Sequence, residues 1–435
     1  MERGERMETN YIRLKDYCSK IGSGATPKGG SSVYIDKGVS LIRSQNVYNL
    51  RFSYSGLAHI NVEAAKKLNG VTVEQGDVLL NITGDSVART CVVPDNVLPA
   101  RVNQHVAIIR PKDELDSKYL NYYLASPAMQ GYLLSIASTG ASRNAITKGM
   151  IEKFVIPFPD KGSQRRIASI LSAYDNLIEN NTRRIRLLEQ MAENIYKEWF
   201  VRFRFPGHEN EQFENSKLGK LPASFKVVTM NDVFEYYIGG GWGNEEESED
   251  FPISASVIRG ADFPNVWHYD TSTCPRRYHK RKNYEARQLQ DGDIILEISG
   301  GTAEQPVGRT VLVTDDMINR FEGGRVICAS FCKLIRLKKS DISPYYYFYW
   351  MQYLYDTRII DRFQLQSTGI INFKFEHFLK KGLLMMPPRD LQDEFDKIII
   401  PIYKEINKLA LQNEKLARQR DLLLPRLMSG KLEVM

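Results

Sequence analysis

An internal repeat is the feature that most constrains how this chain can fold. Residues 40–49 read SLIRSQNVYN, and residues 256–265 read SVIRGADFPN. Residues 76–84 read GDVLLNITG, and residues 292–300 read GDIILEISG. Both pairs share one offset of 216 positions, from 40 to 256 and from 76 to 292. Because several segments with a common offset mark a duplication, the chain is predicted to contain two related structural units.

The repeat continues beyond these segments with small insertions. The dipeptide RT at 89–90 recurs at 309–310, and STG at 138–140 recurs at 367–369. Pro159 recurs as Pro388, so the offset grows from 220 to 229 along the repeat. A chain of 435 residues is too long for one ordinary core, which agrees with two copies of one domain.

Each repeat opens with a mixed α/β pattern. Short runs rich in β-branched residues, such as HVAIIRP at 105–111 and RTVLV at 309–313, predict strands. The stretch SKYLNYYLASPAMQGYLL at 117–134 predicts helix. Each repeat is therefore predicted to begin with a mixed α/β globular domain.

A long helix is predicted to end each repeat. From Ile167 to Trp199, ten positions alternate at spacings of four and three, and Asn181 alone among them is neither apolar nor aromatic. The same ten positions, displaced by 228, run from Phe395 to Leu427. This periodicity is typical of a coiled coil. Within the second helix, Pro401 is expected to cause a kink or restart, and Pro425 to end the helix.

The polar seam positions favour antiparallel pairing of the two helices. Asn181 is fifth in its series, and Asn413 is sixth in the other, where Arg420 is a further exception. End-to-end antiparallel helices would place both amides in one layer and fix the register. Two alternatives remain: each helix packs only on its own domain, or the amides face solvent.

The whole pattern resembles the specificity subunits of type I restriction–modification systems. The resemblance rests on two mixed domains, each followed by a long helix, on PFP at 157–159 and PP at 387–388, and on LLLPRLMSGKL at 422–432. It implies an α+β fold with two tandem α/β target-recognition domains in a pseudo-twofold arrangement, separated by an antiparallel coiled coil. The implied segments are a first recognition domain (1–160), a central helix (161–205), a second recognition domain (206–388) and a distal helix with its tail (389–435).

The resemblance also implies a function and partners. Each recognition domain would read half of a bipartite site in double-stranded DNA, and the coil would set the gap and dock two adenine methyltransferase subunits. S-adenosylmethionine would be bound by the methyltransferase, with no cofactor in this cytoplasmic chain. Whether two ATP-dependent restriction subunits join is left open. A coiled-coil scaffold without sequence-specific DNA binding is the alternative function.

Polar and basic loops in both repeats supply candidate DNA contacts, because small residues allow close approach to phosphate and Arg or Asn can read base edges. In the first repeat these are Lys28 in the loop 22–32, and Arg143 and Asn144 in the loop 137–149. In the second repeat they are Asn372 and Lys374 after the STG segment, and Arg276, Arg277, Lys280 and Arg281 in the basic stretch 274–287. A solvated surface loop is the alternative for the basic stretch.

The repeated strands add further candidate contacts. Arg43 and Arg259 occupy equivalent positions, where a phosphate contact and a structural salt bridge both remain open. The other candidates are polar residues on or beside the same segments: Gln45, Asn46, Thr83, Arg89, Ser299 and Arg309.

Several other functions lack their sequence signals. GATPKGGS at 24–31 has Gly30 where a phosphate-binding loop needs its lysine. Asn81 replaces Glu297 in the first repeat, which argues against a nuclease carboxylate set. The six histidines and five cysteines show no metal-ligand spacing, and no apolar run approaches a membrane span. The net charge of +7 permits a nucleic-acid partner, and catalysis by this chain is not expected.

Overall fold

A computed structural model describes residues 10–138, 145–302, 305–367 and 370–432. The chain divides into two compact units. The first consists of Met1–Glu179 and Glu414–Met435, and the second of Asn180–Asn413. Each unit therefore holds one mixed domain together with part of both long helices.

The first unit contains thirteen short strands among its described residues. They are β1 (Tyr11–Arg13), β2 (Cys18–Ser23), β3 (Tyr34–Ile35), β4 (Val39–Ile42), β5 (Val47–Tyr48), β6 (Arg51–Phe52), β7 (Ala58–Ile60), β8 (Thr72–Val73), β9 (Val78–Asn81), β10 (Thr90–Val92), β11 (Ala100–Val102), β12 (Val106–Pro111) and β13 (Val155–Pro157). Its shorter helices are α1 (Val62–Lys67), α2 (Ser117–Ala125), α3 (Pro127–Ser138) and α4 (Lys148–Glu152). The first long helix, α5 (Lys161–Tyr196), continues as a π-helical turn over Lys197–Val201.

The second unit has the following strands in its described part: β14 (Phe213–Ser216), β15 (Gly219–Pro222), β16 (Lys226–Thr229), β17 (Phe234–Gly239), β18 (Ile253–Ile258), β19 (Arg276–His279), β20 (Ile294–Glu297), β21 (Ser299–Gly301), β22 (Thr310–Leu312), β23 (Val326–Cys328), β24 (Cys332–Leu337), β25 (Gln364–Ser367), β26 (Ile370–Phe373) and β27 (Leu383–Met386). Its helices are α6 (Met230–Val233), α7 (Phe263–Val266), α8 (Arg281–Arg287), α9 (Asp315–Ile318), α10 (Pro344–Asp356) and α11 (Phe375–Lys381). The second long helix is α12 (Arg389–Met428).

The two units repeat one sheet topology. The antiparallel sheet of the first unit has the order β10-β9-β12-β2, and that of the second has the order β22-β20-β24-β17. A parallel pair follows in both, β4 with β11 and β18 with β23, in matching registers. The strand before each domain also pairs with the strand that precedes the long helix, β1 with β13 and β16 with β27. The tandem α/β domains predicted from the repeat are therefore confirmed.

The repeated Gly-Asp dipeptide supports this sheet in both units. Asp77 and Asp293 are completely buried. Asp77 accepts two hydrogen bonds from the Arg110 guanidinium, at 2.7 and 2.9 Å. Asp293 accepts the equivalent pair from Arg336, both at 2.8 Å. A buried carboxylate needs such a partner, so the motif is a structural element of each domain.

The long helices are part of the cores of both units. In the first unit, Leu424 and Leu427 of α12 are buried in a cluster with Leu171 of α5. In the second, Phe200 of the π-helical turn packs against Phe395 of α12, with ring centroids 5.1 Å apart. The helices are thus held by the domains as well as by each other.

Within the second unit α5 and α12 run antiparallel. Asn181 donates to Gln412 at 3.4 Å, and Arg184 pairs with Glu405 at 2.9 Å. The residue number rises along α5 as the number of the contacting residue falls along α12, which confirms the antiparallel coiled coil. The described seam positions are buried or half-buried throughout.

The expected restart of α12 at Pro401 and the expected helix end at Pro425 are wrong, while a kink at Pro401 stays a prediction. The helix is continuous through Pro401 and extends past Pro425 to Met428. Pro401 lies on the exposed side, while Ile399 and Ile402 beside it are buried. Water can satisfy the carbonyl that loses its partner at such a position, and the buried neighbours keep the helix intact.

Candidate nucleic-acid interface

The basic stretch of the second unit forms strand β19 and helix α8. Arg276 forms an ion pair with Glu322 and donates to Ser254 Oγ. Arg277 pairs with Glu245 at 3.0 Å, and its guanidinium lies 4.8 Å from the centre of the Trp242 ring.

Lys280 and Arg281 follow on the same segment, and both are exposed. In the part of the chain that the structure describes, neither has a carboxylate partner. Lys280 and Arg281 are therefore available to bind an external anion, whereas Arg276 and Arg277 are already paired with carboxylates.

A small pocket of about 220 Å³ lies beside this basic stretch, lined by Gly240, Trp242, Asn244, His279, Lys280 and Arg287 among others. His279 is buried, and its Nε2 has no hydrogen-bond partner among the described residues. Burial, and secondly the charge of Arg287, lower the pKa of His279 and favour the neutral imidazole. Sequence reasoning did not identify this pocket.

The signal that could have identified the pocket is the offset of 216. A Cβ on Gly24 would lie 2.1 Å from the Val102 carbonyl oxygen, and one on Gly240 would lie 2.1 Å from that of Ala329. The glycine loop of the first repeat, which carries exposed Lys28, therefore corresponds to the loop that begins at Gly240.

Arg259 is part of a local structural ion pair. Its guanidinium donates twice to Asp262, at 2.8 Å each, and once to the Thr273 carbonyl. The hydrogen bond with Asp262 raises the pKa of Arg259. The structure thus shows the fold-supporting ion pair that the sequence had left open as the alternative for this position.

In the equivalent segment of the first unit, the arginine donates to a backbone carbonyl and not to a carboxylate. Arg43 donates to the Gly56 carbonyl at 2.6 Å, and Gln45 donates to the same carbonyl at 3.2 Å. Asn46 is completely buried, and its amide donates to backbone carbonyls at Ser53 and Ser55. Asn46 therefore acts within the fold, while Gln45 is exposed.

Other predicted candidates lie where the strand after the Gly-Asp dipeptide ends. Ser299 donates to Asn372 Oδ1 at 2.7 Å, because β21 pairs with β26. Lys374 follows β26 and is exposed. In the first unit Thr83 contacts His105 Nδ1 at 2.6 Å and forms a bridge with Ala145. Arg143 and Asn144, just before that bridge, lie outside the described residues.

The equivalent residues Arg89 and Arg309 have different surroundings. Arg309 donates twice to Glu297, at 2.8 and 2.6 Å, and both side chains are nearly buried. The Arg89 guanidinium instead lies 4.7 Å from the centre of the Tyr48 ring and is half-buried. The repeated motif therefore gives Arg309, which is paired with a carboxylate, and Arg89, which lies against an aromatic ring.

Two other kinds of site are absent from the described residues. No group of three or more His, Cys, Asp or Glu side chains is placed to hold a metal ion. No helix in the described ranges is both long enough and apolar enough to span a membrane.

The first repeat is similar to one known protein family. Residues 7–190 match the family described as the type I restriction modification DNA specificity domain. The specificity subunit of the MjaIX type I restriction enzyme from Methanocaldococcus jannaschii is 24% identical over 431 residues, which cover 97% of this chain and 93% of the relative. The HindI specificity subunit from Haemophilus influenzae is 21% identical, over 91% of this chain and 94% of the relative.

A solved structure shows the same fold. The specificity subunit of a type I restriction–modification system from M. genitalium aligns with a TM-score of 0.54 and 12% identity, over 97% of both chains. The predicted resemblance is therefore confirmed by the family match over residues 7–190, and the predicted fold by the solved structure over nearly the whole chain.

Proposed function

From this relationship to type I specificity subunits, we propose that the chain is the sequence-specific DNA-binding subunit of a type I restriction–modification enzyme. Each unit reads one half of a bipartite site, and bond chemistry belongs to the partner subunits. One observation carries the proposal: two units share a sheet topology and differ in the loops at equivalent places. A shared scaffold with different loops is suited to reading two different half-sites.

The coiled coil is proposed as the spacer between the half-sites. Its helices have 36 and 40 residues. At about 1.5 Å per residue these lengths correspond to about 54 and 60 Å. Duplex DNA rises about 3.4 Å per base pair along each strand, so the spacer limits the site to about 16 to 18 base pairs between its ends. The two half-sites are then separated by several unread base pairs.

The outer face of the coil is proposed to dock two adenine methyltransferase subunits. Leu187 and Met191 lie four residues apart on α5, outside the seam, and are 57% and 48% exposed. An apolar pair on a charged helix favours a protein partner at this place. S-adenosylmethionine would be bound by the methyltransferase, and two ATP-dependent restriction subunits complete the largest assembly that we propose.

Binding of the full-length chain to labelled duplex DNA, measured by fluorescence anisotropy at several salt concentrations, tests the proposal. We expect the logarithm of the association constant to fall linearly with the logarithm of the salt concentration. In the variant Lys280→Ala/Arg281→Ala the slope is expected to fall by up to about 1.8, at about 0.9 per lost phosphate contact.

Lys415→Ala/Arg418→Ala provides the matched control, because it removes two exposed charges from α12. The slope of this control is expected to stay at the wild-type value. Absence of binding to any duplex at low salt would reject the proposal in favour of a scaffold without DNA affinity.

A further inference from the structure

The two units differ at one buried position beside an equivalent arginine. In the second unit Arg309 donates two hydrogen bonds to Glu297. Its Nη2 also donates to the Gly260 carbonyl, at 2.9 Å. A Cβ at Gly260 would lie 2.3 Å from Glu297 Oε1, so a larger residue here would displace the carboxylate that pairs with Arg309. Gly260, Glu297 and Arg309 thus form one closed, neutral cluster.

In the first unit the same three positions are Ser44, Asn81 and Arg89. Asn81 is completely buried, and its Nδ2 donates to the Ser44 carbonyl at 2.9 Å. That carbonyl is equivalent to the Gly260 carbonyl, which accepts from arginine in the second unit. An amide has therefore taken over the hydrogen bond of the guanidinium, and no carboxylate is present at position 81.

Arg89 lies against Tyr48 as a result, and a second arginine lies against the same ring. The Arg51 guanidinium is 5.0 Å from the ring centre, and Arg51 pairs with Tyr48 across the β5–β6 hairpin. The hairpin turn is fixed to β10, because the Leu50 amide donates to the Thr90 carbonyl at 2.9 Å.

Neither guanidinium is neutralised within the described ranges. Among those residues, Arg51 and Arg89 have no ion-pair partner and no side-chain hydrogen bond, while Arg51 is exposed and Arg89 half-buried. Two guanidiniums on one aromatic ring are oriented by it and keep their hydrogen-bond donors available. Such a pair attracts an anion with oxygen acceptors.

We propose that Arg51, Tyr48 and Arg89 form a binding site for a backbone phosphate of duplex DNA, and that the second unit lacks an equivalent site. This inference rests on the proposed function. A phosphate is the favoured ligand because it carries the charge that two guanidiniums require, whereas a base edge is neutral. In the second unit Glu297 neutralises Arg309, and Pro264 and Trp267 replace Tyr48 and Arg51.

The test compares variants of the full-length chain in binding to duplexes of several sequences over a range of salt concentrations. Arg51→Ala and Arg89→Ala are each expected to lower the magnitude of the salt slope, and the double variant is expected to lower it by up to about 0.9, the value for one lost phosphate contact, equally for every sequence. Lys66→Ala/Lys67→Ala removes two exposed charges from α1 in the same unit and is expected to leave the slope unchanged.

A graft of the second cluster provides a test that removes no arginine. Ser44→Gly/Asn81→Glu gives the first unit the glycine and carboxylate of the second, so Arg89 is expected to pair with the carboxylate introduced at position 81. The slope is then expected to fall by up to about 0.9, and adding Arg89→Ala is expected to cause no further loss. Thermal unfolding confirms that each variant is folded, and the alanine variants decide the question if the graft does not fold.

Three results are distinguishable. An unchanged slope in Arg51→Ala/Arg89→Ala, with wild-type binding intact, overturns this inference alone. A loss confined to duplexes with one particular base also overturns it, because that result assigns a base contact. Failure of the wild-type chain to bind any duplex instead rejects the proposed function.

Discussion

Single residues decide which repeated motifs support the fold and which remain available to a ligand. The recurrence of Gly-Asp was visible in the sequence, but its meaning was not. The partners Arg110 and Arg336 lie 33 and 43 positions farther along the chain. No local pattern predicts so distant an ion pair, because pairing depends on which strands become neighbours.

At the candidate site, too, the sequence does not show which residues pair. Arg89 and Arg309 were equivalent by sequence, and both were predicted to contact DNA. The exchange of Asn81 for Glu297 was also visible, but only the structure shows that Glu297 reaches Arg309. The sequence was therefore enough to choose the two arginines as candidates. It was not enough to show which of them is paired with a carboxylate inside the fold.

A buried carboxyl group makes stability depend on pH. Burial raises the pKa of Asp396 to about 6, although a hydrogen bond from Ser343 Oγ, at 2.6 Å, lowers it in part. The unfolded chain has a pKa near 3.9 at this residue. The folded state therefore binds this proton more tightly, and the resulting stabilisation is complete below about pH 4 and is lost as pH rises through about 6.

Asp396→Asn removes that dependence, because the amide is neutral at every pH and can still accept from Ser343. At pH 7.5 the variant is expected to be more stable by about 1 to 2 kcal/mol, with the gain vanishing near pH 4. Thermal unfolding between pH 4 and 8 measures the difference, with exposed Glu394→Gln as control. A gain that grows towards low pH would contradict this account.

At the scale of elements, periodicity predicted the long helices better than the strands. The seam predicted from Ile167 to Trp199 is buried or half-buried, because its spacing follows one helix face. The segment 117–134 was predicted as helix, and it forms α2 and α3 with a break at Ser126. Short strands such as β5 and β6 carry two residues each and gave no periodic signal.

The polar layer of the coil gives a prediction about its register. Asn181 bonds to Gln412, and Asn413 bonds to Thr182 at 3.3 Å, so each amide contacts the neighbour of the other. Asn413 Oδ1 is buried without a hydrogen-bond partner in the described chain. That the two amides fix the register stays a prediction.

Asn181→Leu is expected to lower stability by about 1 kcal/mol, because the hydrogen bond between Asn181 and Gln412 across the coil is lost. The double variant Asn181→Leu/Asn413→Leu is expected to recover stability but to loosen the register. Thermal unfolding gives the first result, and disulfide formation between Arg184→Cys and Glu405→Cys reports the second. Exposed Asn176→Leu is the control, and a double variant less stable than the single one would refute the role assigned to the layer.

At the scale of the whole molecule, the boundary between units passes through both long helices. The sequence placed segment borders at 160 and 388, and the helices begin at Lys161 and Arg389. The compact units nevertheless extend into the helices as far as Glu179 and Asn413. The boundary between the units could not be predicted from periodicity, because the seam continues unchanged across it.

The helix lengths give a prediction about the spacing of the half-sites. Inserting one heptad after Glu179 and one after Asn413 lengthens both helices by about 10.5 Å, which corresponds to about three base pairs. The unread gap in the methylated motif is expected to grow by that amount, with both half-sites unchanged. Seven residues inserted in the hairpin between β14 and β15 serve as control, and a gap that ignores the helix insertion would contradict the spacer.

Each recognition domain is proposed to read its own half-site. The direct measurement replaces residues 10–160 with the corresponding domain of a related specificity subunit and maps methylated adenines across the genome of a host that contains the matching methyltransferase. One half of the methylated motif is expected to change, while the other half and the gap stay the same. A motif in which both halves change together, or one without an unread gap, would contradict this proposal.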